Sequence, residues 1–277
     1  MGGNRQCFFL IGGTGNQLFQ LARATKDDRI SGLFLTGPLR RVLGHTDHET
    51  ILPNLLGVSL ATPFLNFVLL FLDLFLARVL GRSLFTDFDI RRFKMDASVK
   101  SLNALGYFQD RIDLDAHWLR AVGDALQDSA EHAPQLAVHF RGGDFLSPAN
   151  ASFGILDRSY YSEAIGLAIQ SEPTRSITVF TNDDESARRF FSDVVFSEYE
   201  FTFVMEPLEA TLRSLVASSV FVASNSTLSY CVTAFRGNDR PSIRPTPYNL
   251  VDSLPPLDFG VGVPARFVAP AELDSLL

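Results

Sequence analysis

The chain has 277 residues, 46% of them apolar and 20% charged, which suffices for a sizeable core and excludes a disordered or coiled-coil protein. Its 31 acidic against 24 basic side chains leave a net charge of -7, the wrong sign for a general nucleic-acid binder, so any anionic ligand has to be held by a local site. The length fits one large domain or two half-sized ones.

Arg5 to Ile11 reads as a strand, Gly12-Gly13-Thr14-Gly15 as a turn, and Asn16 to Ala24, with Leu18, Leu21 and Ala22 at helical spacing, as a helix. That is an α/β opening. Its apolar run is too short for a secretion signal. Cys7 and Cys231 lie far apart in apolar segments, away from ligand-spaced histidines, and are expected to be buried free thiols. From about residue 26 to 110 the pattern is mainly helical and irregular, broken at Pro38, Pro53 and Pro63. Phe64 to Leu80 is membrane-like, but Asn66, Asp73 and Arg78 interrupt it and it is too short to cross a bilayer. It reads first as a packed core helix and second as a helix lying at a membrane surface.

Trp118 to Leu126 is expected to be helical, and the polar run Asp128 to Pro134 marks the expected domain boundary. Beyond it strand and helix alternate. Strands are expected at 136–140, 176–181, 201–204 and 220–223, and helices at 160–170, 184–191, 208–217 and from about 227. Such alternation implies a parallel sheet covered on both faces.

Four constellations could carry chemistry. Gly12 to Gln17 at a strand-to-helix turn lets backbone approach a ligand and presents helix N–H groups to an anion, but Leu18 stands where a dinucleotide fingerprint has its third glycine. Val138 to Phe145 ends a buried strand, where ligands bind in open α/β sheets; Arg141 can fork onto a pyrophosphate while Gly142 and Gly143 clear its approach. In the plainer reading Arg141 pairs with Asp144 and His139 is a satisfied core histidine. Phe180 to Asp184 offers Asn182 and Asp183 either to a base edge or to a helix cap. Ser224 to Tyr230 crowds hydroxyls at a strand-to-helix junction, suited to phosphate or to capping. Two D-x-D triplets, Asp87-Phe88-Asp89 and Asp113-Leu114-Asp115, have metal-binding spacing but follow no clear buried strand and are read as chance.

Taken in order, five blocks resemble the α-1,2-fucosyltransferases, glycosyltransferase family 11. Gly12 to Gln20 is similar to G-G-L-G-N-Q-M-F-Q, Gly106 to Gln109 to G-Y-F-Q, and His139 to Phe145 to H-x-R-R-G-D-Y; Phe180 to Asp184 resembles F-S-D-D, and Ser224 to Tyr230 resembles S-N-S-S-F-S-W. The resemblance implies a GT-B-like α/β fold: two Rossmann-like domains facing a cleft, with residues 1–132 on the acceptor side, 133–250 binding the donor, and 251–277 packing back on the first. It implies transfer of L-fucose from GDP-β-L-fucose, with inversion and without metal, to the 2-hydroxyl of a galactoside in a surface polysaccharide or oligosaccharide.

On the same resemblance Arg141 neutralises the leaving diphosphate and Asn16 contacts the donor from across the cleft. Gly13, Gly15, Gln17, His139, Asn182, Asp183, Ser224, Asn225 and Ser226 are expected to line the donor site. Asp144 is the nearest carboxylate for catalysis, or else orients Arg141. Gly142 stands where the family has a second arginine, Thr14 replaces Leu, Phe145 replaces Tyr, and residues 37–100 match no block. The expected partners are GDP-fucose and a galactoside-terminated glycan, with no nucleic acid and no cofactor; the expected location is cytoplasmic, with peripheral contact at the inner face of a membrane through Phe64 to Leu80 as the secondary reading. Other readings are a fucosyltransferase of another linkage or donor, a non-catalytic nucleotide-sugar binder and, more remotely, a nucleotide-cofactor oxidoreductase.

Overall fold

The computed structural model describes residues 6–10, 15–19, 21, 30–35, 103–104, 116–131, 133–146, 154–248 and 257–268. The segment Phe64 to Leu80, both D-x-D triplets, residues 12–14 and Gly106 to Gln109 lie outside these. Among the described residues, no helix is long and apolar enough to cross a membrane. The chain divides into two compact units, residues 1–115 and 116–277.

The first unit contains three parallel strands, β1 (Gln6–Leu10), β2 (Ile30–Leu35) and β3 (Asn103–Ala104), ordered β2-β1-β3. Residues 15–19 are helical, in keeping with the helix expected from Asn16, while Gly12 to Thr14 of the turn expected before it lie outside the described residues.

In the second unit, α1 (Ala116–Asp128) leads through the polar stretch 128–135 to β4 (Leu136–Phe140). There follow β5 (Ile155–Leu156), α2 (Arg158–Ser171), β6 (Ser176–Thr181), α3 (Asp184–Phe191) and β7 (Glu200–Val204). The unit continues with α4 (Leu208–Ala217), β8 (Val220–Val222), α5 (Thr227–Arg236), β9 (Ser242–Thr246), β10 (Val261–Pro264) and β11 (Phe267–Val268). Six of its strands form one parallel sheet in the order β10-β9-β8-β4-β6-β7. The architecture is therefore α/β with mostly parallel, Rossmann-like sheets.

The strand order explains the helix layers. From β4 the chain steps outward to β6 and β7, then returns to the other side of β4 to lay down β8 and β9. Right-handed crossovers running in opposite directions put their helices on opposite faces. Accordingly α2 and α3 bury Tyr160, Tyr161, Ile165, Phe190 and Phe191 against Leu136, Val138 and Phe140, at alternate positions of β4. On the other face α1 packs with α4 and α5; Trp118 lies 6.3 Å from Phe235, and a side chain at Gly123 would run into the Phe235 carbonyl. β4 is buried at every position, as a central parallel strand must be.

The carboxyl-terminal residues close the unit. β10 extends the sheet beside β9, while β11 pairs antiparallel with β5, and the Asp157 amide donates to the Arg266 carbonyl at 3.1 Å. Asp157 caps α2 through its carboxylate, which accepts from the Tyr160 amide at 2.9 Å, so this strap anchors the start of α2.

Candidate active site

The reversal of strand order places a topological switch point between β4 and β8, and ligands of open α/β sheets bind outside the carboxyl ends of such strands. Two of the sequence motifs arrive there, His139 to Phe145 from β4 and Ser224 to Tyr230 from β8. The third, Phe180 to Asp184, ends β6 on the other side of β4.

A buried hydrogen-bond network joins the two sides of the switch point. His139 Nδ1 lies 2.6 Å from Ser229 Oγ and 3.1 Å from Ser224 Oγ; Ser224 Oγ is also 2.9 Å from Ser229 Oγ and 3.1 Å from Ser226 Oγ. Ser229 Oγ accepts from the Ser224 amide at 3.0 Å, and Ser226 Oγ accepts from the Ser229 amide at 3.2 Å, capping α5. Burial, aided by the charge of Arg141, pushes His139 down to about 3, so its imidazole is neutral at physiological pH. The hydroxyl cluster thus both caps α5 and satisfies His139.

Asn225 is 4% exposed, and its amide donates to the Gly154 carbonyl at 2.9 Å, tying the junction to the residue that precedes β5. The capped α5 presents the amides of Thr227 and Leu228 at its amino end, where the helix itself supplies no acceptor. Their dipoles favour an anion placed outside the junction.

On the β6 side the turn is built from side chain to backbone. Asn182 Oδ1 accepts from the Gly142 amide at 3.1 Å, and Asp183 Oδ2 accepts from the Gly143 amide at 3.0 Å. Asp183 also caps α3, its Oδ1 accepting from the Ser186 amide at 3.1 Å, so the capping reading holds for this residue. Burial works against its ionisation, but hydrogen bonds from Ser186 and Gly143 and the charge of Arg189 outweigh that and lower its pKa. Gly143 has φ +56°, and a Cβ there would lie 2.7 Å from Asn182 Nδ2; a Cβ on Gly142 would lie 3.0 Å from the Asp183 Cβ. Gly143 is required for this turn by its backbone conformation, whereas a side chain at Gly142 would need Asp183 to give by a few tenths of an ångström.

Arg141 leaves β4 at the mouth of this turn, half-buried, with its guanidinium carbon 5.4 Å from the centre of the Phe145 ring. Asp144 is placed by its backbone in the 3-10 turn Gly143–Leu146. Of the residues expected to bind donor, the second unit therefore brings together His139, Arg141, Asn182, Asp183, Ser224, Asn225 and Ser226. Gly15, Asn16 and Gln17 lie in the helical segment of the first unit, Gly15 and Gln17 buried and Asn16 half-buried, whereas Gly13 is outside the described residues.

Sequence reasoning did not single out Tyr160 and Tyr161, whose hydroxyls donate to the carbonyls of Ala223 at 2.6 Å and His139 at 3.2 Å. Nothing in the spacing of two tyrosines on a helix signals such contacts. Ser229 lies within a motif that was read, yet its place as the hub of the network depends on the long-range approach of His139.

No family model and no curated protein matches the chain. Among solved structures, the E. coli heptosyltransferase WaaC with ADP-2-deoxy-2-fluoro heptose is similar with a TM-score of 0.48 at 14% identity, over 98% of each chain. POFUT1 in complex with GDP is similar with a TM-score of 0.41 at 13% identity, over 86% of this chain and 98% of that one. POFUT1 in complex with GDP-fucose gives 0.41 at 11% identity, over 87% and 98% of the respective chains. These likenesses are distant in both sequence and coordinates.

Proposed function

We propose that the chain is a glycosyltransferase using a nucleotide-sugar donor and, more finely, an inverting α-1,2-fucosyltransferase moving L-fucose from GDP-β-L-fucose to the 2-hydroxyl of a galactoside. The observation that supports it best is the meeting, at one switch point, of two motifs far apart in sequence: the Arg141 turn after β4 and the capped α5 junction after β8. An arginine beside a helix amino terminus suits a diphosphate. The ordered similarity of five sequence blocks supports the finer assignment.

In this mechanism the acceptor oxygen forms its bond to the anomeric carbon as the bond from that carbon to the diphosphate oxygen breaks. The departing diphosphate gains negative charge, which Arg141 and the α5 amides stabilise more in the transition state than in the bound donor. No metal is required for that step. The acceptor's proton passes to a base, for which Asp144 is the candidate within the motif. In this reading Asn16 is a donor-binding residue.

The test is a thermal-shift panel of GDP, GDP-fucose, ADP- and UDP-sugars and nicotinamide cofactors, each with and without chelator. GDP and GDP-fucose are expected to raise the melting temperature, by about 2.7 kcal/mol of stability at a hundred times Kd, and chelator to leave the shift intact. Stabilisation by nicotinamide cofactors alone would replace the reading with an oxidoreductase. Binding of GDP-fucose without turnover on any galactoside would leave a nucleotide-sugar binder.

A further inference from the structure

β4 and β8 pair only from Leu136↔Val220 to Val138↔Val222. The residues that follow that last pair, His139 and Ala223, each present a carbonyl group to α2, and the Ala223 amide is itself held by β9, donating to the Ile243 carbonyl at 2.8 Å. Two adjacent side chains of α2 reach these groups. Tyr160 Oη donates to the Ala223 carbonyl at 2.6 Å, and Tyr161 Oη donates to the His139 carbonyl at 3.2 Å.

Both tyrosines are held tightly. They are 0% and 2% exposed, their rings meet edge to face at 5.1 Å, and the Tyr161 ring lies 5.5 Å from both Phe190 and Phe191. The Asp157 cap and the β5–β11 strap fix the start of the helix that bears them. Residue 139 lies two positions before Arg141 and its turn, and residue 223 immediately precedes the Ser224 junction.

We infer that Tyr160 and Tyr161 are positioning residues that set the gap between the ends of β4 and β8, holding Arg141 and the α5 amino end at the spacing a diphosphate requires. The role in binding rests on the function proposed above; the setting of the gap does not. The rings alone would fill the core, so a packing role predicts that phenylalanine substitutes for either tyrosine. A positioning role predicts that it does not, since the hydroxyls make both contacts.

The experiment compares the wild type with Y160F, Y161F and the Y160F/Y161F double variant by calorimetric titration with GDP, well below the melting temperature, and by amide hydrogen exchange. The double variant is expected to bind GDP at least about tenfold more weakly. Its amides at 141–143 and 223–226 are expected to exchange at least about tenfold faster, while those of α3 and β7 keep wild-type protection. GDP affinity within twofold of wild type would overturn the role in binding. A uniform rise in exchange, or none, would overturn the setting of the gap even if the wild type bound no nucleotide, an outcome that would instead sink the proposed function.

Discussion

Arg141 is the side chain on which the proposed chemistry turns. The position after it is glycine, and a Cβ there would lie 3.0 Å from the Asp183 Cβ and 3.3 Å from the Phe140 ring, so a second arginine beside the first requires these neighbours to shift by a few tenths of an ångström. With one charge-assisted contact removed from the leaving group, Arg141→Ala is expected to slow transfer at least ~100-fold, about 3 kcal/mol of transition-state stabilisation, with an unchanged melting temperature. Arg141→Lys should restore little, because a point charge does not reproduce the fork. Near-normal turnover of the alanine variant would place the diphosphate elsewhere. Gly142→Arg, which would bring this motif closer to that of the fucosyltransferases, is expected instead to cost about 1–3 kcal/mol by overpacking against Asp183 and to weaken donor binding. Tighter donor binding by this variant would show that the turn opens. At this scale the sequence reading reached the residue types and their strand-end positions, because both are local. It did not reach the partners: Asn182 and Asp183 hold the Gly142 and Gly143 amides, and Asn225 holds Gly154, through approaches between segments far apart in the chain.

Elements with a strong local signal are the ones whose limits were legible. β4 and β6 are buried strands, and α3 and α4 start from a capping aspartate and a proline, so each matches its expected limits. β9 was hidden because it carries Ser242, Arg244 and Pro245; the proline is tolerated where β8, which pairs only with Ser242 and Ile243, no longer borders it. β5 and β11 are two residues each and exist only because distant segments meet. Two helices make predictions of their own. In α2, a Cβ at Gly166 would meet nothing within 4 Å, so Gly166→Ala should stabilise the protein by about 0.5–1 kcal/mol and raise its melting temperature by roughly 1–4 °C. The buried Arg236, the last residue of α5, donates across to the end of α4 and beyond it, to the carbonyls of Leu215, Val216, Ser218, Ser219 and Pro241. It thereby neutralises the negative end of α4 and fastens it to the start of β8 and β9. Arg236→Met should cost at least about 3 kcal/mol in chemical denaturation, since the abandoned carbonyls stay buried. A loss under 1 kcal/mol would mean that water takes over the arginine's contacts.

Across the whole molecule, buried groups that must stay uncharged set the pH range of stability. His139 titrates at about 3 when folded, because of burial and then Arg141, against an ordinary value of 6.5. Below pH 6.5 the unfolded chain takes up a proton that the native state refuses, so stability falls by up to about 1.4 kcal/mol per pH unit until pH 3, where the folded protein is protonated as well. On the alkaline side burial raises Tyr160, Tyr161, Tyr230, Tyr248 and Cys231, so above about pH 9 the unfolded chain loses protons that the native state keeps. Stability is therefore expected to hold between about pH 6.5 and 9 and to fall on both sides. The acid limb belongs to the same place that builds the candidate site, since protonation would put a charge on a buried imidazole close to Arg141. Comparing melting temperatures of the wild type and His139→Gln from pH 4 to 8 isolates that contribution from the carboxylates, which titrate alike in both. The wild type should be the more stable at pH 8, and its advantage should shrink steadily below pH 6.5 as the histidine's cost grows. A constant gap over the whole range would mean that His139 binds its proton in the native state as readily as in the unfolded chain, and that the hydroxyl network accommodates the charge.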